Sequence, residues 1–239
     1  MPLPGIPRRV EPEWLDELAP AEPRAVRSRR DLRRINTLMA NAAIVARELR
    51  HGFRDAEPRT IADLGAGDGT FMVQLARKTR WKNIRLVLLD RQNIVSRETR
   101  AELLSLGWTA ECVTADVFEW LAQPQAPVFD VMIANLFLHH FDVSRLALLL
   151  PLAGSRSRML VACEPRRSRL ALSASYLLGL IGCNDVTRHD AQASVRAGFH
   201  GRELSALLQE GWTMREFASR LFSHCFVARR LGQSTTAIR

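Results

Sequence analysis

One segment constrains the fold of this chain more than any other: residues 60–71, with the sequence TIADLGAGDGTF. Its apolar beginning predicts a buried strand, and the apolar residues that recur at helical spacing from Phe71 onwards predict a helix. Between them Gly65, Gly67 and Gly69 stand at alternate positions, where the lack of a Cβ lets the backbone approach a ligand closely. A strand, glycine turn and helix of this kind hold a nucleotide or nucleoside at the carboxyl edge of a parallel sheet.

The residues in and around the turn narrow the choice of nucleoside. A phosphate-binding loop would carry Gly-Lys-Ser/Thr, whereas this chain has Gly69-Thr70-Phe71, which argues against a nucleoside triphosphatase. The dinucleotide fingerprint spaces its last glycine differently, and Asp68 within the turn would repel a pyrophosphate. Asp63, just before the turn, instead favours a ligand that carries positive charge.

Further along the chain, three more predicted strands each end at or lead into a polar residue. The leucine-rich stretch 84–89 predicts a strand that ends at Asp90, where folds of this kind hold ribose hydroxyls. A second predicted strand leads into Asp116, and a third, residues 128–135, ends at Asn135. Each aspartate alone is compatible with a simple helix cap. Together with the glycine turn they indicate a nucleoside site.

Over residues 60–165 the glycine turn and the three polar strand ends resemble, in order and spacing, the motifs of the class I S-adenosylmethionine-dependent methyltransferases. The resemblance implies S-adenosylmethionine as the cofactor, with the Asp116 carboxylate accepting from the adenine amine beside a backbone amide. An NAD(P)-dependent oxidoreductase is the alternative for the same pattern. The cofactor-binding residues that the resemblance implies are Asp63, Gly65, Ala66, Gly67, Gly69, Asp90, Arg91, Asp116, Val117, Asn135 and Leu136.

Strands and helices alternate from Thr60 onwards, which predicts an α/β fold with a doubly wound, mostly parallel sheet. The resemblance implies a Rossmann-like sheet of seven strands whose last strand is antiparallel. Two apolar stretches near the end, 212–218 and 221–228, predict its terminal pair of strands, after a short helix over 203–208.

The segments outside the sheet predict the domain organisation. Residues 1–55 are expected to form an N-terminal arm and cap helices, and residues 56–239 the methyltransferase domain. Within that domain a helical, substrate-covering insertion is expected after the fifth strand, at about 166–200. Its apolar run 170–181 predicts a helix. A buried packing helix is favoured over a helix that lines the pocket or contacts a membrane. Residues 184–190 predict a polar loop.

Methyl transfer to an oxygen or an acidic carbon needs a base, and histidine is the natural one near neutral pH. Two histidines directly follow the strand that ends at Asn135, and His140, or failing that His139, is expected to border the acceptor. His189 with Asp190, in the insertion, is the third candidate, with the carboxylate orienting the imidazole. The alternative is that these histidines pack and cap structure. No metal site is predicted.

The residues after Asn135 also bear on the acceptor. Methyltransferases that act on base amino groups carry Asp/Asn-Pro-Pro-aromatic there, whereas this chain has Leu136-Phe137-Leu138. The double histidine resembles the ubiquinone/menaquinone-biosynthesis type and its small-molecule relatives. That resemblance implies O- or C-methylation of a hydrophobic phenolic, quinone-like or polyketide acceptor in bacterial secondary or quinone-type metabolism.

Composition leaves a second function class open. The chain has a net charge of +9, and its arginines concentrate at residues 24–34, which would suit an RNA methyltransferase. Aromatic residues make up only 7% and do not interleave with that cluster, so a solvated helix face is favoured and a nucleic-acid partner is not. Four scattered cysteines and the absence of a signal-peptide pattern or a long apolar run predict a cytoplasmic protein. Peripheral membrane contact and the oligomeric state stay open.

Overall fold

The structure, a computed structural model, describes residues 6–231 except 55, 126 and 209. Its strands are β1 (Thr60–Leu64), β2 (Ile84–Asp90), β3 (Trp108–Thr114), β4 (Phe129–Asn135), β5 (Ser157–Pro165), β6 (Trp212–Ser219) and β7 (Ser223–Arg230). They form one sheet in the order β3-β2-β1-β4-β5-β7-β6. Neighbours among β1 to β5 are parallel, and β7 is antiparallel to both β5 and β6. The predicted fold class, including the antiparallel last strand, is confirmed.

Helices cover both faces of this sheet. They are α1 (Trp14–Glu17), α2 (Pro23–Met39), α3 (Asn41–Gly52), α4 (Thr70–Thr79), α5 (Arg97–Ser105), α6 (Val117–Ala122), α7 (Val143–Ser155), α8 (Arg169–Tyr176) and α9 (Asp185–Ala197). Short 3-10 helices occupy Leu138–His140, Leu177–Ile181 and Ser205–Leu207.

The central strands are apolar almost throughout because both of their faces are covered. Successive side chains point to opposite faces, so Ile61, Val131 and Val161 enter one buried cluster. Ala62 and Met132, one residue away in each strand, enter the other. This two-sided burial fixes the strand register and aligns the carboxyl ends of β1, β2 and β4 at one edge.

The N-terminal segment is an ordered arm followed by two long helices. The apolar spacing over residues 31–50 falls on α2 and α3, which meet at Ala40 in a left-handed conformation (φ 57°). The arm runs along α9, where the Arg9 amide donates to the Arg196 carbonyl over 3.2 Å. The division at residue 55 stays a prediction, since residue 55 lies outside the described residues.

The insertion after β5 differs from its prediction in two ways. The helix over the apolar run ends at Tyr176, and most of its large side chains point to solvent, with Leu180 83% exposed. A buried packing helix is therefore the wrong interpretation of residues 170–181. Residues 184–190, predicted as a loop, instead begin α9, because the Asn184 side chain caps that helix by accepting from the Thr187 amide over 2.9 Å.

The C-terminal part follows the prediction except at one helix. The two terminal strands are present, but the helix expected over 203–208 is only the 3-10 turn Ser205–Leu207. The Glu216 carboxylate caps it by accepting from the amides of Leu204 and Ser205. Among the helices that the structure describes, none combines the length and the apolar character that crossing a bilayer requires.

Candidate active site

A cavity of about 680 Å³ opens at the carboxyl edge of the sheet. Its floor is formed by the glycine turn after β1 and by the ends of β2 and β4. Its walls come from the N-terminal arm and from α2, α8 and α9. All the predicted cofactor-binding residues except Gly69 line it, namely Asp63, Gly65, Ala66, Gly67, Asp90, Arg91, Asp116, Val117, Asn135 and Leu136.

The glycine turn has the backbone conformation that favours glycine, and the close approach at Gly65 is to a side chain of the protein itself. Gly65 and Gly67 both have positive φ, 72° and 55°. A Cβ on Gly65 would lie 2.1 Å from the Phe137 ring, whereas one on Gly67 would have no atom within 4 Å and would project into open space. Gly69 does not line the cavity but shapes the turn into α4 at φ 74°, where an added Cβ would meet Thr99 and Leu88, and its predicted ligand contact stays a prediction.

Asp90 and Asp116 have local partners of their own at the edge of the cavity. The Asp90 carboxylate accepts from the amides of Gly67 and Gln92, each over 2.8 Å, and thereby fixes the glycine turn relative to β2. Asp116 caps α6 through Oδ1, which accepts from the Phe118 amide over 2.8 Å. The helix-cap interpretation is thus correct for Asp116, and its position on the cavity wall is compatible with a second role.

Asp63 is almost completely buried beneath the glycine turn. Burial, reinforced by the negative charge of Asp90, raises the pKa of the Asp63 carboxyl well above its usual range. A cationic group bound beside it would offset that cost, as expected for a carboxyl that faces a positively charged ligand.

The turn that leaves β4 is held by one buried carboxylate. Leu136 has a left-handed conformation (φ 53°), and the amides of the next two residues, Phe137 and Leu138, donate to Glu164 Oε1 over 3.0 and 2.9 Å. Glu164 lies fully buried near the end of the adjacent strand β5. Sequence reasoning did not identify this role, although an acidic residue near the end of a strand next to β4 is a signal for it.

His139 lies between two carboxylates and is buried. Its Nδ1 is 2.8 Å from Glu164 Oε2, and its Nε2 is 3.3 Å from Oε1 of Glu13 in the arm. Burial alone would lower the pKa of His139, but the hydrogen bonds and charges of Glu13 and Glu164 outweigh it and raise the pKa to about 9. His139 is therefore an imidazolium that donates from both nitrogens, which makes it a poor base at neutral pH.

The pKa of His140 is shifted in the opposite direction to that of His139. Its side chain is on the cavity wall, and its Nδ1 is 3.6 Å from Oδ2 of Asp16 in α1. Burial and the positive charge of His139 lower the pKa of His140. A neutral imidazole beside the cavity has the proton-accepting capacity that a base needs.

His189 and Asp190 do not line the cavity. The two side chains are paired as predicted, 2.9 Å apart, but the His189 ring stacks on Trp14 with centroids 4.0 Å apart. Asp190 also accepts from the backbone amides of Trp14 and Leu15. The pair therefore holds α1 against α9, and the expectation that it approaches the acceptor is not supported.

Several wall residues that sequence reasoning missed come from the arm and α2. Glu13 and Asp16 contact the two histidines, and Arg33 of α2 pairs with Asp68 of the glycine turn over 2.9 Å. Asn36 contributes a side-chain oxygen that is buried without a hydrogen-bond partner among the described residues. The remaining wall is mostly apolar, through Leu32, Ile35, Met39, Ala171, Ala174, Leu178, Ala191, Val195 and Phe222.

The histidine cluster also contains potential metal ligands. Within the described part of the chain, Glu13, His139 and His140 bring one ligand atom each to within 4.8 Å of one another. Both nitrogens of His139 already donate to carboxylates, so a metal ion would have to replace the contact with Glu13. The prediction of no metal stays a prediction.

The raised pKa of His139 makes stability depend on pH with a definite sign. Its folded-state pKa of about 9 lies above the ordinary value of 6.5, so the stabilisation is complete below pH 6.5 and is lost as the pH rises through 9. We expect the free energy of unfolding of the wild type to lose about 3 kcal/mol over that range relative to His139→Gln. Denaturant titrations at a series of pH values measure this difference. An equal slope in both proteins would contradict the assignment, and the exposed His51→Gln is the control.

A family model described as a methyltransferase domain matches residues 61–153, which run from β1 into α7. No significant match was found among curated protein sequences.

Solved structures show the same fold at low sequence identity. The plantazolicin methyltransferase BpumL in complex with SAH is 14% identical, with a TM-score of 0.62 over 88% of this chain and 91% of that one. An O-methyltransferase family protein from Burkholderia thailandensis is 16% identical, with a TM-score of 0.59 over 88% of this chain and 61% of that one. Magnesium protoporphyrin IX methyltransferase from Synechocystis PCC 6803 is 15% identical, with a TM-score of 0.54 over 80% and 82%.

These comparisons agree with the observed architecture. The methyltransferase match begins in β1 and includes the glycine turn, Asp90, Asp116 and the histidine pair. The oxidoreductase alternative is therefore not supported. Residues 61–153 therefore match a methyltransferase domain, and the sheet around them has the Rossmann-like fold of S-adenosylmethionine-dependent methyltransferases of known structure.

Proposed function

We propose that this protein transfers the methyl group of S-adenosylmethionine to an oxygen or an acidic carbon of a small, mainly apolar acceptor. The observation that carries the proposal is the composition of the cavity at the carboxyl edge of the sheet. Its sheet edge presents the glycine turn and the carboxyls of Asp63, Asp90 and Asp116, and its opposite wall is apolar. The sheet-edge half suits a cationic ligand that carries hydroxyl groups, and the opposite half, called here the acceptor half, suits an apolar ligand.

The sheet-edge residues match the groups of S-adenosylmethionine. Gly67 leaves open space into which the ligand fits, and Asp90, at the end of β2, is placed to accept from ribose hydroxyls. In this proposal the Asp116 carboxylate and the backbone amide of Val117, the first of α6, bind the adenine. The Asp63 carboxyl binds the amino group of the cofactor. When bound, the cofactor supplies an electrophilic methyl group on a sulfonium.

The acceptor half combines apolar walls with one hydrogen-bonding group. Side chains of α2, α8 and α9 exclude water from it. Asn36 lines the cavity, and its side-chain oxygen is buried without a hydrogen-bond partner among the described residues, so a movement of this side chain would let the oxygen accept from a hydroxyl or amine of the acceptor. These features support the phenolic or quinone-like class of acceptor and O- or C-methylation, as the resemblance to quinone-biosynthesis methyltransferases implies.

His140 is the base in this proposal. Its lowered pKa keeps the imidazole neutral at physiological pH, so it can take the proton of the attacking oxygen or carbon. Asp16, 3.6 Å away, can then stabilise the charged imidazole. His139 acts as a positioning residue, because its charge is committed to Glu13 and Glu164.

The RNA alternative has less support from the structure. Most arginines of the 24–34 cluster have acceptors within the protein, such as Arg24 with Asp185 and Arg33 with Asp68. Arginines so engaged offer fewer free charges to phosphates. Steeply salt-dependent RNA binding would favour this alternative.

Asp90→Ala tests the cofactor site. We expect its affinity for S-adenosylhomocysteine to fall about 100-fold, because two charged hydrogen bonds to the ribose are lost and the Gly67 amide loses its acceptor. Isothermal titration calorimetry measures the change, and Glu111→Ala, an exposed acidic residue of β3 outside the cavity, is the matched control. Unchanged affinity in Asp90→Ala would remove this residue from the site.

A further inference from the structure

The 3-10 helix Leu177–Ile181 exposes an unusual amount of apolar surface. Leu177, Leu180 and Ile181 are 58%, 83% and 61% exposed, next to Tyr176 at 55%. Residues three apart eclipse each other in a 3-10 helix, so Leu177 and Leu180 form one ridge. We call Tyr176, Leu177, Leu180 and Ile181 the apolar ridge. Single exposed leucines need no explanation, but four large side chains within six residues mark an interaction surface.

Arginines surround the apolar ridge. Arg27 of α2 donates to the carbonyl of Gly182 over 3.2 Å, just after the ridge, and the Arg188 side chain lies against Gly179 within it. Arg196 donates to the Tyr176 hydroxyl over 2.9 Å. The acidic groups close to this segment are paired, Asp185 with Arg24 over 2.6 Å and Asp31 with Arg34 over 3.8 Å. The surroundings of the ridge therefore carry a clear excess of positive charge.

We propose that the apolar ridge docks on an anionic lipid surface, with its leucines in the interface and the arginines on the headgroups. Apolar side chains combined with flanking cations are the two contributions that bind peripheral proteins to acidic membranes. A second copy of this chain is the poorer partner, because apposed ridges would bring two sets of arginines together.

This docking has a consequence for the acceptor, which rests on the proposed function. Leu178, next to Leu177 in the same 3-10 helix, lines the cavity. The ridge would therefore bring one wall of the acceptor half to the lipid, the phase in which an apolar acceptor dissolves. An amphipathic acceptor with a reactive hydroxyl head and an apolar tail is the chemistry that this arrangement serves.

Co-sedimentation of the full chain with vesicles tests the docking without cofactor or acceptor, so its result is independent of methyl transfer. We expect binding to vesicles of equal parts phosphatidylglycerol and phosphatidylcholine, weakened by salt, and little binding to pure phosphatidylcholine. The double variant Leu177→Ser/Leu180→Ser should bind at least about 10-fold more weakly, and Arg188→Gln about 5-fold. Leu104→Ser, which removes an equally exposed leucine (64%) from α5, is the matched control.

Three results would overturn the proposal. The first is no binding of the wild type to the anionic vesicles. The second is equal binding by the double variant and the Leu104 control. The third is a wild-type protein that does not bind vesicles but forms a dimer in sedimentation velocity, when the double variant does not form that dimer. Circular dichroism of both serine variants separates a loss of docking from a loss of folding.

Discussion

His140→Ala is expected to lower the turnover number by about 10²–10⁴-fold while leaving the affinity for S-adenosylhomocysteine nearly unchanged. The imidazole lies on the cavity wall with a lowered pKa, so it accepts a proton in the transition state but makes no predicted contact with the cofactor. Since the acceptor must be found first, a panel of phenols, hydroxyquinones and alkylresorcinols supplies the substrate. The turnover number and its pH profile are then measured for both proteins.

The pH profile distinguishes a base from a packing residue. In the wild type, activity should fall only in acid, where His140 becomes protonated, because its pKa lies below the ordinary value. The variant should instead gain activity with rising pH as the acceptor ionises by itself. His200→Ala, an exposed histidine outside the cavity, is the control. Wild-type turnover in His140→Ala at neutral pH would mean that positioning of an already ionised acceptor suffices.

Glu164→Leu is expected to lower the free energy of unfolding by about 3–5 kcal/mol. The substitution removes the acceptor of the Phe137 and Leu138 amides and leaves the buried charge of His139 with Glu13 alone. Each buried polar group left unsatisfied costs about 1–3 kcal/mol, so the losses add to the stated range. Urea denaturation followed by circular dichroism measures the change.

A conservative variant tests this explanation. Glu164→Gln keeps one side-chain oxygen for the Phe137 and Leu138 amides but removes the charge that faces His139, so its loss should be smaller. It should also lower the pKa of His139, which NMR titration of the imidazole reports. A loss in Glu164→Gln as large as in Glu164→Leu would assign the whole effect to the charge rather than to the backbone contacts.

The sheet and the cofactor side of the cavity could be predicted because local signals determine them. The glycines between β1 and α4 and the aspartate at the end of β2 are read within a few residues of sequence. Strands buried on both faces give apolar runs that few other elements imitate. Ten residues around Asp63 thus predict most of what the glycine turn does.

The acceptor side could not be predicted in the same way because distant segments build it. Glu13 meets His139 across 126 positions of sequence, and Asp190 meets Trp14 across 176. No local pattern reports such contacts, so His139 and His140 look equivalent in the sequence although their pKa values shift in opposite directions. The exposure of Leu180 is likewise a tertiary property, since an apolar run predicts burial until the neighbouring elements are known.

The arm and α1, which carry Glu13 and Asp16, form one wall of the cavity and are tied to the rest of the protein through His139 and Asp190. If the arm moves away from the cavity, the buried pair between Glu13 and His139 has to separate, which costs free energy. We therefore expect the exchange of a bound ligand to depend on the arm as well as on the contacts with the sheet edge.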